Sequence, residues 1–241
     1  MSVDPVVVVD AEQLDTMPDE YREILVHQLL AHTEGELSGG DAYQLMAPHA
    51  PSAYERKVIY EAAAEEMKHY MIGADLLLQM GIDAGYMLAQ TLDERSHYPA
   101  EFMRDPSNWA ERGLTSMLAE GAALEHIYEM AESSYRPLAE TCPTVIREEK
   151  GHIAHGQRIV RGLCSTQEGR DQVQEQLRYK WPQVLDLFGS SDSRRSKMFM
   201  RWGLRTRTNG EARQRFVEAT RPKLEQLGLD VPEDHAHRQF L

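Results

Sequence analysis

Over most of the chain, apolar residues recur at intervals of three and four, the period of helices packed along one side. Thr16-Met17-Pro18-Asp19 is a capping-box-like start with Pro in the tolerated first turn, and it predicts a helix to about Leu37, ended by Gly39-Gly40. Leu25, Leu29, His32 and Glu36 share its inner face. A polar link over 41–51 precedes a second capping box, Ser52-Ala53-Tyr54-Glu55, and a helix to about Met80 with Gly81 as its stop. One stripe of that helix reads Ile59, Ala62, Glu66, His69, Gly73, Leu76, Met80. From Ile82 to Asn108 the period fades, and Tyr98-Pro99 and Asp105-Pro106-Ser107 break it, which predicts a crossover. A third helix is expected from Trp109 to Tyr135, with Gly113, Met117, Glu120, Leu124, Ile127 and Ala131 on one face and Arg136-Pro137 weakening its end. A fourth runs from about Pro143 to Leu163 along Val145, Glu149, His152, Gly156, Ile159 and Leu163.

Two short connections around one long crossover predict an all-α, ferritin-like four-helix bundle, whose core positions host metals. Further helical segments over 167–187 and 211–227 are expected to pack on the bundle core of about 17–163, making residues 1–241 one domain. Val6 to Val9 is the longest β-like run.

Composition narrows the function. A hydrophobic share of 41% over 241 residues supports a substantial core, and a formal charge of −13 disfavours binding to a phosphate backbone, so no nucleic-acid partner is expected. Cys142 and Cys164 lack the spacing of a zinc ribbon or redox pair and are expected to be reduced thiols. Met1 to Asp15 has neither the basic start nor the apolar length of a signal or span, which predicts a cytoplasmic protein with no membrane partner. Against the acidic whole, Arg194, Arg195, Lys197, Arg201, Arg205, Arg207, Arg213 and Arg215 form a basic segment.

Two Glu-x-x-His copies carry the chemistry: Glu66-Met67-Lys68-His69 and Glu149-Lys150-Gly151-His152. Three positions apart on a helix, a carboxylate and an imidazole face the same way and reach one metal ion. Glu36 precedes Glu66 by 30 residues and Glu120 precedes Glu149 by 29, so each copy belongs to a repeated half-site. Four carboxylates and two histidines from four helices form the ligand set of dinuclear carboxylate bundles, and such hard donors suit iron or manganese. Period alone leaves alternatives open: Glu34 joins Val26 and Leu30, and Glu125 joins Leu118 and Ala122. Glu65 and Glu148, beside the two ligand carboxylates, are placed either to accept a hydrogen bond from a ligand imidazole or to lie on the surface. Met67, Met71, Met80 and Met87 are expected to pack; His27, His32, His126 and His155 to be satisfied or surface histidines; and His235 and His237 to be exposed.

Beyond these motifs, Met17-Pro18-Asp19-Glu20-Tyr21-Arg22, Glu65-Glu66-Met67-Lys68-His69, Glu120-Gly121-Ala122-Ala123, Ser134-Tyr135, Glu148-Glu149-Lys150-Gly151-His152, Trp181-Pro182, Phe188-Gly189, Arg213-Gln214-Arg215-Phe216-Val217 and Leu227-Gly228-Leu229-Asp230-Val231-Pro232 resemble the phenylacetic acid catabolic protein family. That family contains ferritin-like di-iron oxygenases. The resemblance, from about Met17 to His235, implies metal ligands at Glu36, Glu66, His69, Glu120, Glu149 and His152. The chain departs from the family's catalytic subunit in having Glu120 where that subunit carries Asp.

By this resemblance, two iron ions activate O2 and one oxygen atom enters an aryl or acyl substrate, as an epoxide or alcohol, while the other leaves as water. The substrate is expected to be a CoA or other carrier thioester whose phosphates the basic segment could meet, although the same segment also reads as a solvated or acidic-partner surface. The sequence contains no Gly-x-Gly-x-x-Gly fingerprint and no cysteine cluster, so a separate reductase is expected. A related structural subunit or a homo-oligomer is a further expected partner. The competing readings are a non-catalytic subunit of such an oxygenase, against which the full ligand set argues, and a ferritin-like iron- or peroxide-handling protein.

Overall fold

The structure, a computed structural model, describes residues 8–96 and 107–240. Tyr98-Pro99 and Asp105-Pro106 in the expected crossover, and Val6 and Val7 of the Val6 to Val9 run, lie outside the described residues. Within them the chain is all-α: α1 (Asp19–Met46), α2 (Ala53–Gln79), α3 (Trp109–Ala131), α4 (Arg136–Leu163), α5 (Gln167–Asp186), α6 (Arg194–Arg201) and α7 (Asn209–Glu225). Two helical hairpins, α1 on α2 and α3 on α4, form a ferritin-like four-helix bundle, and α5 and α7 pack against α3. No described helix is long and apolar enough to cross a membrane.

α2 begins where expected, with Ser52 Oγ accepting the Glu55 backbone N–H at 3.2 Å, and it stops before Gly81, which adopts φ +77°. The Glu55 side chain does not close the box; it turns to α4 and accepts from Arg158. α1 differs at both ends. Its N-cap is Pro18 without a side-chain cap, because Thr16 Oγ1 donates instead to the Gln13 carbonyl. It also runs through Gly39-Gly40 to Met46. These glycines are closely packed positions within the helix: a Cβ on Gly39 would meet Glu66 Oε2 at 2.9 Å, and one on Gly40 would lie 3.5 Å from the Ala63 carbonyl oxygen. Burial of Ala42, Tyr43 and Met46 beyond them sustains the last turns.

The α3–α4 junction also departs from expectation. α3 ends at Ala131, since Ser134 N–H donates to Gly203 O, Val9 N–H to Ser134 O and Arg136 N–H to Val9 O, drawing Ser133 to Tyr135 into a turn. Arg136-Pro137 therefore opens α4, where proline is tolerated, instead of closing α3. Pro143 lies within α4; buried Leu138, Cys142 and Val145 continue one stripe across it, and their burial offsets the backbone hydrogen bond it removes. Neither Cys142 nor Cys164 is in a disulfide.

The core has two apolar parts. One joins the C-terminal end of α1, the N-terminal ends of α2 and α3 and the end of α4 to Trp181, Phe188 and Phe216. The other joins Leu25, Leu29, Tyr70, Leu77, Ile127, Met130 and Val145 to Phe199 of α6. On α2 and α4 the carboxylate and imidazole positions fall between these two parts, whereas Glu36 lies beside Leu37 of the second part and Glu120 between Ala119 and Ala122 of the first. Met87 is buried and Met67 and Met80 pack at the edge of the second part, whereas Met71 is 57% exposed, contrary to a packing role.

The basic segment is largely consumed by the protein itself. Arg201 pairs with Glu20, Arg207 with Glu129 and Arg215 with Glu125, while Arg213 donates to the Leu185 and Gly189 carbonyls.

Candidate metal centre

Each hairpin brings one half-site to the middle of the bundle, because Glu66 and His69 lie one turn apart on α2 and Glu149 and His152 do the same on α4. All four are buried, as is Glu36 of α1, and Glu120 of α3 is partly so. The structure draws all six expected residues into two overlapping groups: Glu36, Glu66, His69 and Glu149, and Glu66, Glu120, Glu149 and His152. Within each group one ligand atom per residue lies within 4.8 Å of the others. Glu66 and Glu149 belong to both groups, so they stand where bridging carboxylates would.

The alternatives on α1 and α3 are engaged elsewhere. Glu34 accepts the Ser96 backbone N–H at 3.0 Å, and Glu125 pairs with Arg215 at 3.1 Å. Glu65 and Glu148 are hydrogen-bond partners of the histidines, crosswise: His69 Nε2 lies 2.8 Å from Glu148 and His152 Nε2 lies 2.8 Å from Glu65. Each helix thus orients the imidazole of the other, leaving both Nδ1 atoms facing the carboxylates. His69 Nδ1 is 3.2 Å from Glu36, and His152 Nδ1 is 3.1 Å from Glu66.

The donor atoms are underused within the protein. Glu66 Oε1, both Glu149 oxygens and His152 Nδ1 are buried and make no well-aligned hydrogen bond, their close neighbours being one another and His69 Nδ1. Unsatisfied buried carboxylate oxygens are costly, and cations are the species that would satisfy several at once. The residues therefore fit a pair of metal ions. The electrostatics agree. Burial pushes Glu66 well above the carboxylate range and, with the charge of Glu149, Glu120 up to about 8. Burial opposes charge on the two imidazoles, but Glu149 and Glu36 outweigh it at His69, which is raised to about 10, and Glu149 and Glu66 at His152, raised to about 12. At Glu149 burial is overcome by His152 and His69, which hold it at about 2. Protons thus occupy positions that metal ions would take over.

Several residues that periodicity passed over support this layer. Tyr43, beyond the expected end of α1, donates to Glu120 Oε1 at 3.0 Å, and its ring packs edge-on to His152. Arg112, fully buried, lies over the Tyr43 ring, donates to Ser116 and is 3.2 Å from His155 Nδ1. His155 Nε2 in turn is 2.7 Å from Glu55, so this histidine is satisfied as expected. His32 is satisfied too, its Nδ1 lying 3.0 Å from Glu36 Oε1. His126 departs from expectation: its Nδ1 is buried and unbonded. His235 and His237 are exposed.

A cavity of about 620 Å³ opens from Glu36, Glu66, Glu120 and Glu149 along the cleft between α1 and α3. Small side chains on the facing stripes, such as Ala31 and Gly35 of α1 and Ala119 and Ala123 of α3, provide the space. Phe188, Phe199 and Phe240 cover part of it. No local pattern signals this cavity, which exists because two stripes of small residues meet.

Comparison with known proteins adds a second line of observation. The profile of the family described as phenylacetic acid catabolic protein matches residues 1–240. The chain is 28% identical over 230 residues to one of the 1,2-phenylacetyl-CoA epoxidase subunits of Escherichia coli (strain K12), covering 94% of this chain and 74% of that protein. It is 22% identical over 222 residues to benzoyl-CoA oxygenase component B of Aromatoleum evansii, covering 81% of this chain and 47% of that protein.

Proposed function

Because the chain belongs to the phenylacetic acid catabolic protein family, we propose that it is the oxygenating component of a multicomponent monooxygenase. Its substrate is an aryl or acyl group carried as a CoA or similar thioester, as the names of both relatives suggest. The observation that carries this reading is the pair of overlapping ligand groups sharing Glu66 and Glu149 at the inner end of a cavity. Two iron ions, with manganese as the alternative metal, are held by Glu36, Glu66, His69, Glu120, Glu149 and His152. When bound, they supply O2 activation, with electrons from a separate reductase, and the substrate leaves as an epoxide or alcohol.

The chain's own residues hold and shield this chemistry. Glu148 and Glu65 keep His69 and His152 in the tautomer that presents Nδ1 inward. Tyr43 orients Glu120, and the apolar clusters above and below the carboxylate layer limit water. We further assign residues 1–241 to one ferritin-like domain working in the cytoplasm, alone as a homo-oligomer or beside a related structural subunit.

Elemental analysis after anaerobic reconstitution with ferrous iron, with manganese offered in parallel, tests the reading. About two metal ions per chain and reductase-dependent O2 uptake with an aryl-CoA thioester are expected. Metal content near zero would overturn it in favour of a non-catalytic subunit.

A further inference from the structure

Three polar side chains on the cavity wall have buried atoms with no hydrogen-bond partner among the described residues. Gln28 is 2% exposed, yet neither its Nε2 nor its Oε1 is hydrogen-bonded. His126 Nδ1 and Arg205 Nε are likewise buried and unbonded. Arg205 stacks 4.3 Å above the Phe199 ring, and no carboxylate pairs with it among the described residues, whereas Arg201, Arg207 and Arg215 each have one. Each unmade buried hydrogen bond costs on the order of 1–3 kcal/mol, so four such atoms on one wall indicate a missing ligand.

Their placement sets the ligand's orientation. Gln28, His32 and Glu36 follow one another at four-residue steps on α1, so Gln28 lies about 12 Å along the axis from Glu36. His126 lies six residues beyond Glu120 on α3, about 9 Å along that axis. Both displacements run toward the same end, because Leu25 and Leu29 of α1 share an apolar cluster with Ile127 and Met130 of α3. Arg205 joins this level from the α6–α7 connection, because Phe199, on which it stacks, belongs to that same cluster; burial foremost, then the nearby Arg205, holds His126 down at about 3. Arg205 itself, lowered by burial to about 10, stays cationic at neutral pH. Arg205, with Arg195 also on the wall, makes this end of the cavity the one that attracts an anion.

We propose that this wall is an anion-binding subsite. Arg205 pairs with a carboxylate or phosphate of the substrate, Gln28 and His126 hydrogen-bond polar atoms beside it, and the apolar end of the molecule reaches the carboxylate layer. The inference deepens the oxygenase reading and rests on it only for the fate of that apolar end; binding itself requires no metal.

Calorimetric titration of the full chain with 4-phenylbutyrate, its neutral amide 4-phenylbutanamide and phenylacetyl-CoA tests the subsite. The carboxylate is expected to bind at least about tenfold more tightly than the amide, with Arg205→Gln removing the difference, Arg205→Lys retaining most of it and Gln28→Leu weakening binding several-fold. If only phenylacetyl-CoA shows dependence on Arg205, the anion held is a CoA phosphate, and the subsite stands. The proposal is overturned if Arg205→Gln alters affinity for no probe by more than about twofold, or if no probe binds; circular dichroism and the Lys variant separate these outcomes from misfolding. Metal content is read on the same samples. Two irons per chain without an Arg205 effect overturn the subsite alone, and Arg205-dependent binding without metal overturns the oxygenase reading alone.

Discussion

His69 on α2 is held by Glu148 on α4, at 2.8 Å from its Nε2. Both lie in Glu-Glu-x-x-His segments, but in different copies, and Glu65 and His152 repeat the exchange in reverse. Each half-site is therefore complete only when the two hairpins are docked. Burial opposes ionisation of Glu148, but Lys68 and His69 outweigh it and hold the carboxyl below its usual range.

Glu148→Gln keeps the size of the side chain but removes the charge that orients His69. Metal affinity is expected to fall by about 10- to 100-fold, with helical content unchanged. Competition with a chelator of known affinity measures the loss, and an unchanged affinity would remove Glu148 from the site.

Glu149 and Glu66 each serve both ligand groups. Glu149→Ala is expected to lose both metal ions, whereas Glu120→Ala, which touches one group, leaves one. The apoprotein with Glu149→Ala should keep its helical content at reduced stability, since the change removes the carboxylate that pairs with His69 and His152 while the apolar clusters of the bundle stay intact. Metal-to-protein ratios together with circular dichroism check both outcomes.

Metal loading should release protons. His69 and His152 are raised to about 10 and 12 and Glu120 to about 8, so metal ions compete with protons there, and apparent affinity rises with pH through neutrality. Calorimetry in buffers of different ionisation enthalpy counts the released protons. Zero release would show that these groups are not ligands.

Glu55 gives a pH signature away from the ligands. The Arg158 hydrogen bonds, against burial and with help from His155, hold it down at about 2. Its folded value is depressed, so its stabilisation is fully present above the unfolded value of about 4.3 and is lost as pH falls toward 2. Glu55→Gln is expected to cost on the order of 1–3 kcal/mol at pH 7, with the difference from the parent shrinking between about pH 5 and 2. Urea denaturation at several pH values measures this.

Gly156 lies one turn beyond His152 where α4 crosses α3. An added Cβ would meet Met117 N at 2.5 Å and Gly113 O at 2.8 Å, backbone atoms that no rotamer change can move. Gly156→Ala is expected to cost about 1–3 kcal/mol, read as a lowered melting temperature, and to weaken metal binding by displacing His152.

Much of this architecture is legible in the sequence because a helical period is a local property. Glu66 with His69, and Glu149 with His152, must share a face wherever those helices go, and the apolar residues around them mark that face as inward. The same locality sets the limit. Gly39-Gly40 reads as a stop until Glu66 is seen packed against it, and Pro143 reads as a start until burial on both sides carries α4 across it. Period cannot choose between Glu34 and Glu36; Ser96, far along the chain, engages Glu34. The exchange between His69 and Glu148, the support of Glu120 by Tyr43, and the unbonded buried atoms of Gln28, His126 and Arg205 on one wall all depend on contacts between separate helices and connections. Sequence by itself determined which side chains share a helical face, because 3.6 residues per turn fixes that within any helix. Only the tertiary structure decided which faces meet and what space is left between them, because that depends on how the side chains of different helices fill a common volume.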